Sequence, residues 1–262
     1  MKSKYVLNMI IACLTVLYSN GLNAQDNSSK VNYLDLAEQF IAKQVDRHDV
    51  DDIVEIFSNS TQSEIASQVD TENKRIAFWV NVYNGYIQYI LYKNPEAYED
   101  RGSFFKKPQI KIAGRVMSFS DIEHGILRRS AFSLFLGYMS NPFAPDYQKK
   151  LRVDKVDFRI HFALNCGAKS CPPVTVYSAD KIEEQLEFMA SLFLQEVTTY
   201  NEAEERAYTT ALFSWFRGDF DGPKGIRDIL HKYAGINIRP KHVRTTPYDW
   251  TLALDNFREQ SR

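Results

Sequence analysis

Between Glu72 and Lys93, the apolar residues Ile76, Trp79, Val80, Tyr83, Tyr86, Ile87, Ile90 and Leu91 recur near the 3.6-residue period. That spacing predicts a long helix. Asn94 and Pro95 end it, because proline disfavours helical backbone in the residue before it. Apolar side chains cover most of the circumference around Phe78 to Tyr83, which places this helix centrally. Asn81 and Asn84 then fall where a carboxamide is costly unless paired. Either they hydrogen-bond neighbouring loops or one of them faces a site.

Two shorter stripes precede this helix. Leu34, Ala37, Phe40 and Ile41 mark Val31 to Val45, and Ile53, Ile56 and Phe57 mark Asp49 to Phe57, with a polar stretch from Ser58 to Ser63 following. Downstream, Ile110 to Met117 reads as a small hairpin turning at Gly114. Ser120 followed by Glu123 has the spacing of a capping box, so a helix is expected to start there. Ser130 to Gln148, with Pro142 and Pro145, reads as a long loop, and the alternation over Val156 to Leu164 predicts a strand. Tyr177 to Tyr200 has a helical stripe, and Ala207 to Ala211 reads as a strand. Pro223 opens and Gly235 closes a helix ending at Tyr233. Val243 to Leu254 suggests strand-turn-strand. No repeat and no clean linker interrupts the chain. The expected fold is one α+β domain over 25–262, with a small antiparallel sheet packed against several helices.

The first 24 residues change the picture. Lys2 and Lys4 precede a mostly apolar run, Tyr5 to Tyr18, and Ala24 supplies a small residue before Gln25. This is the pattern of a secretory signal peptide, and the run is short for a membrane span. An uncleaved anchor is the competing reading. Lipidation at Cys13 is another, although the apolar stretch continues past that cysteine. Cleavage removes two lysines and no acid, moving the formal charge from −1 to −3. Nothing in that balance marks a nucleic-acid partner, and no stable membrane insertion is expected after signal removal. The mature chain keeps only Cys166 and Cys171, so a disulfide scaffold does not hold it together.

The candidate chemistry is concentrated in RIHFALNCGAKSCPP, from Arg159 to Pro173. A thiol, an imidazole and a carboxamide are the parts of a cysteine nucleophile. On a strand, His161 and Asn165 would share a face. Cys171 precedes Pro172, and a thiol at the start of a helical turn has its thiolate favoured by free N–H groups. Cys171 is therefore the better nucleophile, with Cys166 close behind. His161 and His124 are the candidate bases. Glu123 neighbours His124, but adjacent helical residues diverge by about 100°, so capping is its expected role. Asp121, Asp157, Asp219 or Asp249 would orient the imidazole, and N–H groups of the 166–171 turn would serve as oxyanion donors. Other readings stand beside this one. The two cysteines can bridge in an oxidising compartment, or join His124 and His161 in a metal site, although their spacing is not that of a Cys-x-x-Cys knuckle. His161 can also be a buried imidazole without chemistry, and Trp215 and Trp250 are read as core.

Phe78 to Asn84, Asp121 to Arg128, His161 to Cys166 and on to Pro172, and finally Tyr248-Asp249-Trp250 resemble the DUF547 domain family, over about residues 70–255. That family has no established function. The resemblance implies a fold similar to papain-like and transglutaminase-like cysteine hydrolases. It also implies a shared cleft for Glu123, His124, His161, Cys166 and Cys171. One departure is plain: transglutaminase-like enzymes carry the nucleophile at the start of a buried core helix, and Glu72 to Lys93 contains no cysteine. The resulting expectation is an exported protein, periplasmic or extracellular. It would carry out thiol-dependent hydrolysis or acyl transfer at amide bonds of peptide or cell-envelope material, with no cofactor and no metal. The alternative is a non-enzymatic envelope or binding protein in which Cys166 and Cys171 form a structural disulfide.

Overall fold

A computed structural model describes residues 31–132 and 136–258. The leader expected over residues 1–24, with Cys13 inside it, lies outside them. Helices α1 (Tyr33–Val45), α2 (Asp51–Asn59) and α3 (Gln62–Gln68) lead into the long α4 (Glu72–Lys93), whose bounds are those its apolar stripe predicts. Helix α3 falls in and beyond the stretch read as a polar separator. It is held by a capping box at Thr61 and Glu64, in which Glu64 N–H donates to Thr61 Oγ1 at 3.3 Å and Thr61 N–H to Glu64 Oε2 at 2.7 Å.

Helix α1 lies against α4, with Phe40 fully buried between Phe57 and Tyr86 at ring distances of 5.7 and 5.2 Å. The Phe40 ring occupies the space that a side chain at Gly85 would need. Gly85→Ala gains at most about 1 kcal/mol of helix propensity. It must also displace a ring wedged among other rings, and overpacking of this kind costs about 1–3 kcal/mol. We expect a net loss, read as a lower denaturant midpoint with an unchanged slope.

A short α5 (Arg101–Phe104) precedes the hairpin of β1 (Ile110–Ile112) and β2 (Arg115–Met117). Ile110 pairs with Met117 and Ile112 with Arg115, and the two turn residues Ala113 and Gly114 both have positive φ, 55° and 69°. That is the backbone a two-residue primed turn requires, and it explains glycine at 114. The next helix starts differently from expectation. Ser120 makes no side-chain cap; instead Ser118 N–H and Oγ–H both donate to Asp121 Oδ2, at 2.9 and 2.8 Å. The segment Asp121–Leu127 is a π-helix, with Arg128 N–H donating to the Glu123 carbonyl and Ser130 N–H to that of Gly125.

After α6 (Asp146–Leu151), the strand expected over Val156 to Leu164 is instead a 3-10 turn, Phe158–Phe162. Asp157 caps it, accepting from Arg159 N–H at 2.9 Å and from its guanidinium Nε at 3.0 Å. Ile160, His161 and Phe162 are buried in succession, which a strand with one solvated face does not permit. His161 and Asn165 therefore do not share a strand face.

Helix α7 (Ile182–Val197) begins later than its stripe suggests and runs into a three-stranded mixed sheet. Its strands are β3 (Thr199–Asn201), β4 (Arg206–Thr209) and β5 (His242–Thr245); β3 pairs antiparallel and β5 parallel with the central β4. Between β4 and β5 lie α8 (Leu212–Trp215) and α9 (Gly222–Tyr233). Phe162, Phe193, Phe213, Phe220 and Leu230 form a second buried cluster there. The architecture is α+β, with small antiparallel and mixed sheets packed against a set of helices. Among the described residues, no helix is long and apolar enough to cross a membrane.

Candidate binding cleft

Three buried asparagines fix the loop that carries the cysteines. Asn84 Nδ2 donates to the Ala163 carbonyl at 2.9 Å, and its Oδ1 accepts from Asn165 N–H at 2.8 Å. Asn81 does the same for Tyr177, at 2.7 and 3.0 Å. Asn165 in turn donates to the Pro172 carbonyl at 2.7 Å and accepts from Gly167 N–H at 2.8 Å. A carboxamide has the donor and acceptor of a peptide group, so each asparagine substitutes for a missing strand partner inside the core. None of the three lines the cleft.

On this scaffold Cys166 and Cys171 form a disulfide, with Cα atoms 6.2 Å apart. This overturns the thiol-dependent hydrolase reading, because neither sulfur is a thiol and a disulfide sulfur cannot act as the activated nucleophile. Most of the oxyanion donors expected from the same turn are also committed elsewhere. Cys166 N–H points to Cys171 Sγ, Lys169 N–H to the Thr251 carbonyl, Ser170 N–H to that of Asp249, and Cys171 N–H to that of Ala168. Among the described residues, no group of three or more His, Cys, Asp and Glu side chains is placed to hold a metal, so His124 and His161 do not form a metal site with the cysteines. Alkylation of the native protein is expected to label neither Cys166 nor Cys171, as read by intact mass before and after reduction. A bridge closing so short a loop is worth about 2 kcal/mol, so reduction should lower stability by that order.

Glu123, His124, His161 and Cys166 converge on one cleft of about 480 Å³, and Cys171 sits behind its wall, where Tyr248 O–H donates to Cys171 Sγ at 3.2 Å. The π-helix is the reason Glu123 and His124 both reach it: its wider turn separates neighbouring side chains by less than an α-helix does. Tyr83 O–H donates to Glu123 Oε2 at 3.4 Å. The opposite wall is aromatic, with Trp215 and Trp250 stacked at 5.5 Å and 22°, Tyr248 beside both, and the Arg101 guanidinium 5.3 Å above Trp250. All three rings are partly buried, packed against the core on one side and lining the cleft on the other.

Beneath the cleft lies a charged network. Arg128 and Asp219, both almost wholly buried, form a two-pronged pair, Nε to Oδ2 at 2.6 Å and Nη2 to Oδ1 at 3.2 Å. Arg128 Nη1 also donates to His124 Nδ1 at 2.8 Å. A guanidinium only donates, so His124 Nδ1 is the acceptor and Nε2 carries the hydrogen. His161 Nε2 lies 2.8 Å from Asp219 Oδ2 and donates to it, while its ring stacks on Phe216 at 4.1 Å and 17°. Burial holds both imidazoles below the ordinary histidine pKa, against the pull of Glu123 on His124 and of Asp219 on His161. Burial alone would raise the Asp219 carboxyl, but hydrogen bonds from His161 and Arg128 outweigh it and keep the group below the usual range. The folded network is thus one Arg–Asp pair with two neutral imidazoles. Histidines whose pKa falls on folding take up more protons in the unfolded chain, so their contribution is complete above the ordinary value, near 6.5, and is lost as pH falls below it. Denaturant midpoints measured from neutral pH downward should therefore decline first near pH 6.5, before carboxylates titrate, and His161→Phe should flatten that decline.

The sequence motifs contain Arg128, Tyr248 and Trp250 but give them no role. From sequence, Asp219 is one of four candidate carboxylates, and Trp215 and Trp250 read as core. A Trp and a Tyr-x-Trp downstream of the Cys loop are the available signal, but only the fold shows that they stack. Fold and site together define an α+β protein with a bridged, aromatic-walled cleft. Residues 67–194 match the family described as Protein of unknown function, DUF547. The match takes in Glu123, His124, Arg128, His161 and both cysteines, while Trp215, Asp219, Tyr248 and Trp250 lie beyond it. No curated protein and no solved structure matches the chain, so the papain-like or transglutaminase-like architecture has no support from that side.

Proposed function

We propose that the chain is a non-catalytic binding protein of the cell envelope whose cleft takes peptide or envelope material. The observation that carries this reading is the disulfide in the wall of an otherwise open aromatic cleft. A bridge there stiffens the wall and removes the nucleophile, while the stacked Trp215 and Trp250 offer flat apolar area. Glu123 supplies acceptors and His124 an N–H donor at the same mouth. A volume of about 480 Å³ suits a small ligand or one unit of a polymer. The leader read over residues 1–24 and the persistence of a disulfide both favour an oxidising compartment outside the cytosol.

The test is a titration of tryptophan fluorescence with soluble peptide-bearing glycan fragments of envelope, in parallel with mass analysis of the fragments. Saturable binding is expected, with the fragments recovered intact. Trp250→Ala should weaken it about tenfold, the equivalent of roughly 1.4 kcal/mol of lost ring contact. Absence of saturable binding, or cleavage of the fragments, would overturn the reading.

A further inference from the structure

On the other side of α8 from the cleft lies a larger cavity, about 640 Å³, that shares no lining residue with it. Its walls carry Arg206, Arg217, Arg227, Lys241, His242 and Arg244, and among the described residues no carboxylate lines it. In a chain with 32 Lys and Arg against 33 Asp and Glu, such one-sided lining departs sharply from the average surface. Arg206 and Lys241 are paired, with Glu204 at 3.0 Å and Glu205 at 2.6 Å, neither of which lines the cavity. Arg217, Arg227 and Arg244 have no ion pair among the described residues.

Three separate elements bring these cations together. Parallel pairing of β4 with β5 sets Arg206 opposite His242 and Tyr208 opposite Arg244, so Arg206, His242 and Arg244 project from one face. Helix α8 and the turn after it deliver Arg217, and α9 delivers Arg227 from its second turn. The first turn of α9 adds the positive end of its dipole to the same field, and the Asp221 side chain makes no cap on it. Among the described residues, strand β5 has no partner on its far edge. Because His242 and Thr246 turn their N–H groups toward β4, alternation turns those of Val243 and Thr245 outward, beside the cavity. The floor is apolar, with Phe213 and Ile226 buried beneath. Like charges around a concave, partly apolar cavity repel one another in the absence of a counter-ion.

We propose that this cavity binds a small polyanion bearing phosphate or sulfate groups, held in the forks of Arg217, Arg227 and Arg244. Planar guanidinium groups match such oxyanions two bonds at a time, and the cavity has room for more than one group. This site is independent of the cleft and of the function proposed for it.

Isothermal titration of the full chain with tripolyphosphate at low salt tests it. Saturable binding is expected, weakening as salt is raised. The Arg227→Ala/Arg244→Ala variant should lose about tenfold or more in affinity, through loss of charge-assisted contacts. Trp250→Ala should bind tripolyphosphate as the parent chain does. If the double variant does not fold by circular dichroism, Arg244→Gln alone, on an exposed strand position, gives the same readout. No binding, unchanged binding in the arginine variants, or loss of binding in Trp250→Ala would each overturn the proposal. A second arm uses vesicles of phosphatidylglycerol in phosphatidylcholine. Co-sedimentation that tripolyphosphate displaces assigns the anion to a lipid headgroup, whereas binding of free tripolyphosphate without co-sedimentation assigns it to a soluble phosphate ester.

Discussion

Asp219→Ala is expected to destabilise the protein by about 3–5 kcal/mol, the usual penalty for stripping one partner from a buried ion pair. The size reflects the groups left behind. Arg128 would remain charged in a site where its side chain is 1 % exposed, and its remaining contacts, the His124 ring nitrogen and the face of Phe216 at 4.6 Å, do not neutralise it. His161 would also lose the acceptor for its Nε2 hydrogen. Asp219→Asn keeps the shape but not the charge, and should fall between the two. The pair itself contributes less than either truncation suggests, because both ions surrender their hydration to form it. Arg128→Met combined with Asp219→Leu should therefore cost less than the sum of the single changes, and a double-mutant cycle by urea denaturation reads that coupling. Phe216 packs against both the His161 ring and Arg128, so the single variants should also loosen the cleft wall and weaken ligand binding beyond the change in stability.

The legible parts of this fold are those in which one local signal has no competitor. The stripe from Ile76 to Leu91 can only be a long central helix, and Pro223 with Gly235 brackets α9. Gly114 marks a hairpin whose turn needs positive φ. The segment Val156 to Leu164 misleads because its alternation is coincidental. Asp157 cannot be read as a cap until its side chain is seen on Arg159 N–H, and that cap selects the 3-10 turn. Ser120 and Glu123 have capping-box spacing, but Ser118 and Asp121 form the competing bonds, and the helix beyond them is π rather than α. The site is legible as an inventory and illegible as a circuit. His161 and Asp219 are separated by 58 positions, and no local pattern distinguishes Asp219 from the other aspartates. The two cysteines fit a nucleophile or a bridge equally well in sequence. Only the asparagine-held loop, which brings their Cα atoms to 6.2 Å, decides for the bridge.

That loop makes Asn84→Ala the other change with a large expected effect. Asn84 is fully buried, and its loss strands the Ala163 carbonyl and the Asn165 N–H, both in buried residues, at about 1–3 kcal/mol for each unmatched group. A total of about 2–6 kcal/mol is expected, and hydrogen exchange should show lost protection at the Asn165 amide ahead of global unfolding. Asn84→Asp separates hydrogen bonding from packing. The carboxyl keeps the acceptor for Asn165 N–H but faces the Ala163 carbonyl, so it must be protonated to donate there. Its folded pKa is then raised above the ordinary aspartate value of about 3.9, which makes its contribution complete in acid and progressively lost as pH rises. The parent chain behaves in the opposite sense, losing its histidine contribution as pH falls. Asn84→Asp should therefore shift the pH of maximum stability downward, whereas Asn84→Ala should lower stability by a similar amount across the range. If both variants shift alike, the carboxamide acts by volume alone. Because Ala163 to Asn165 lies between His161 and Cys166, a loosened Asn84 also releases both sides of the cleft, and ligand affinity should fall together with Asn165 protection.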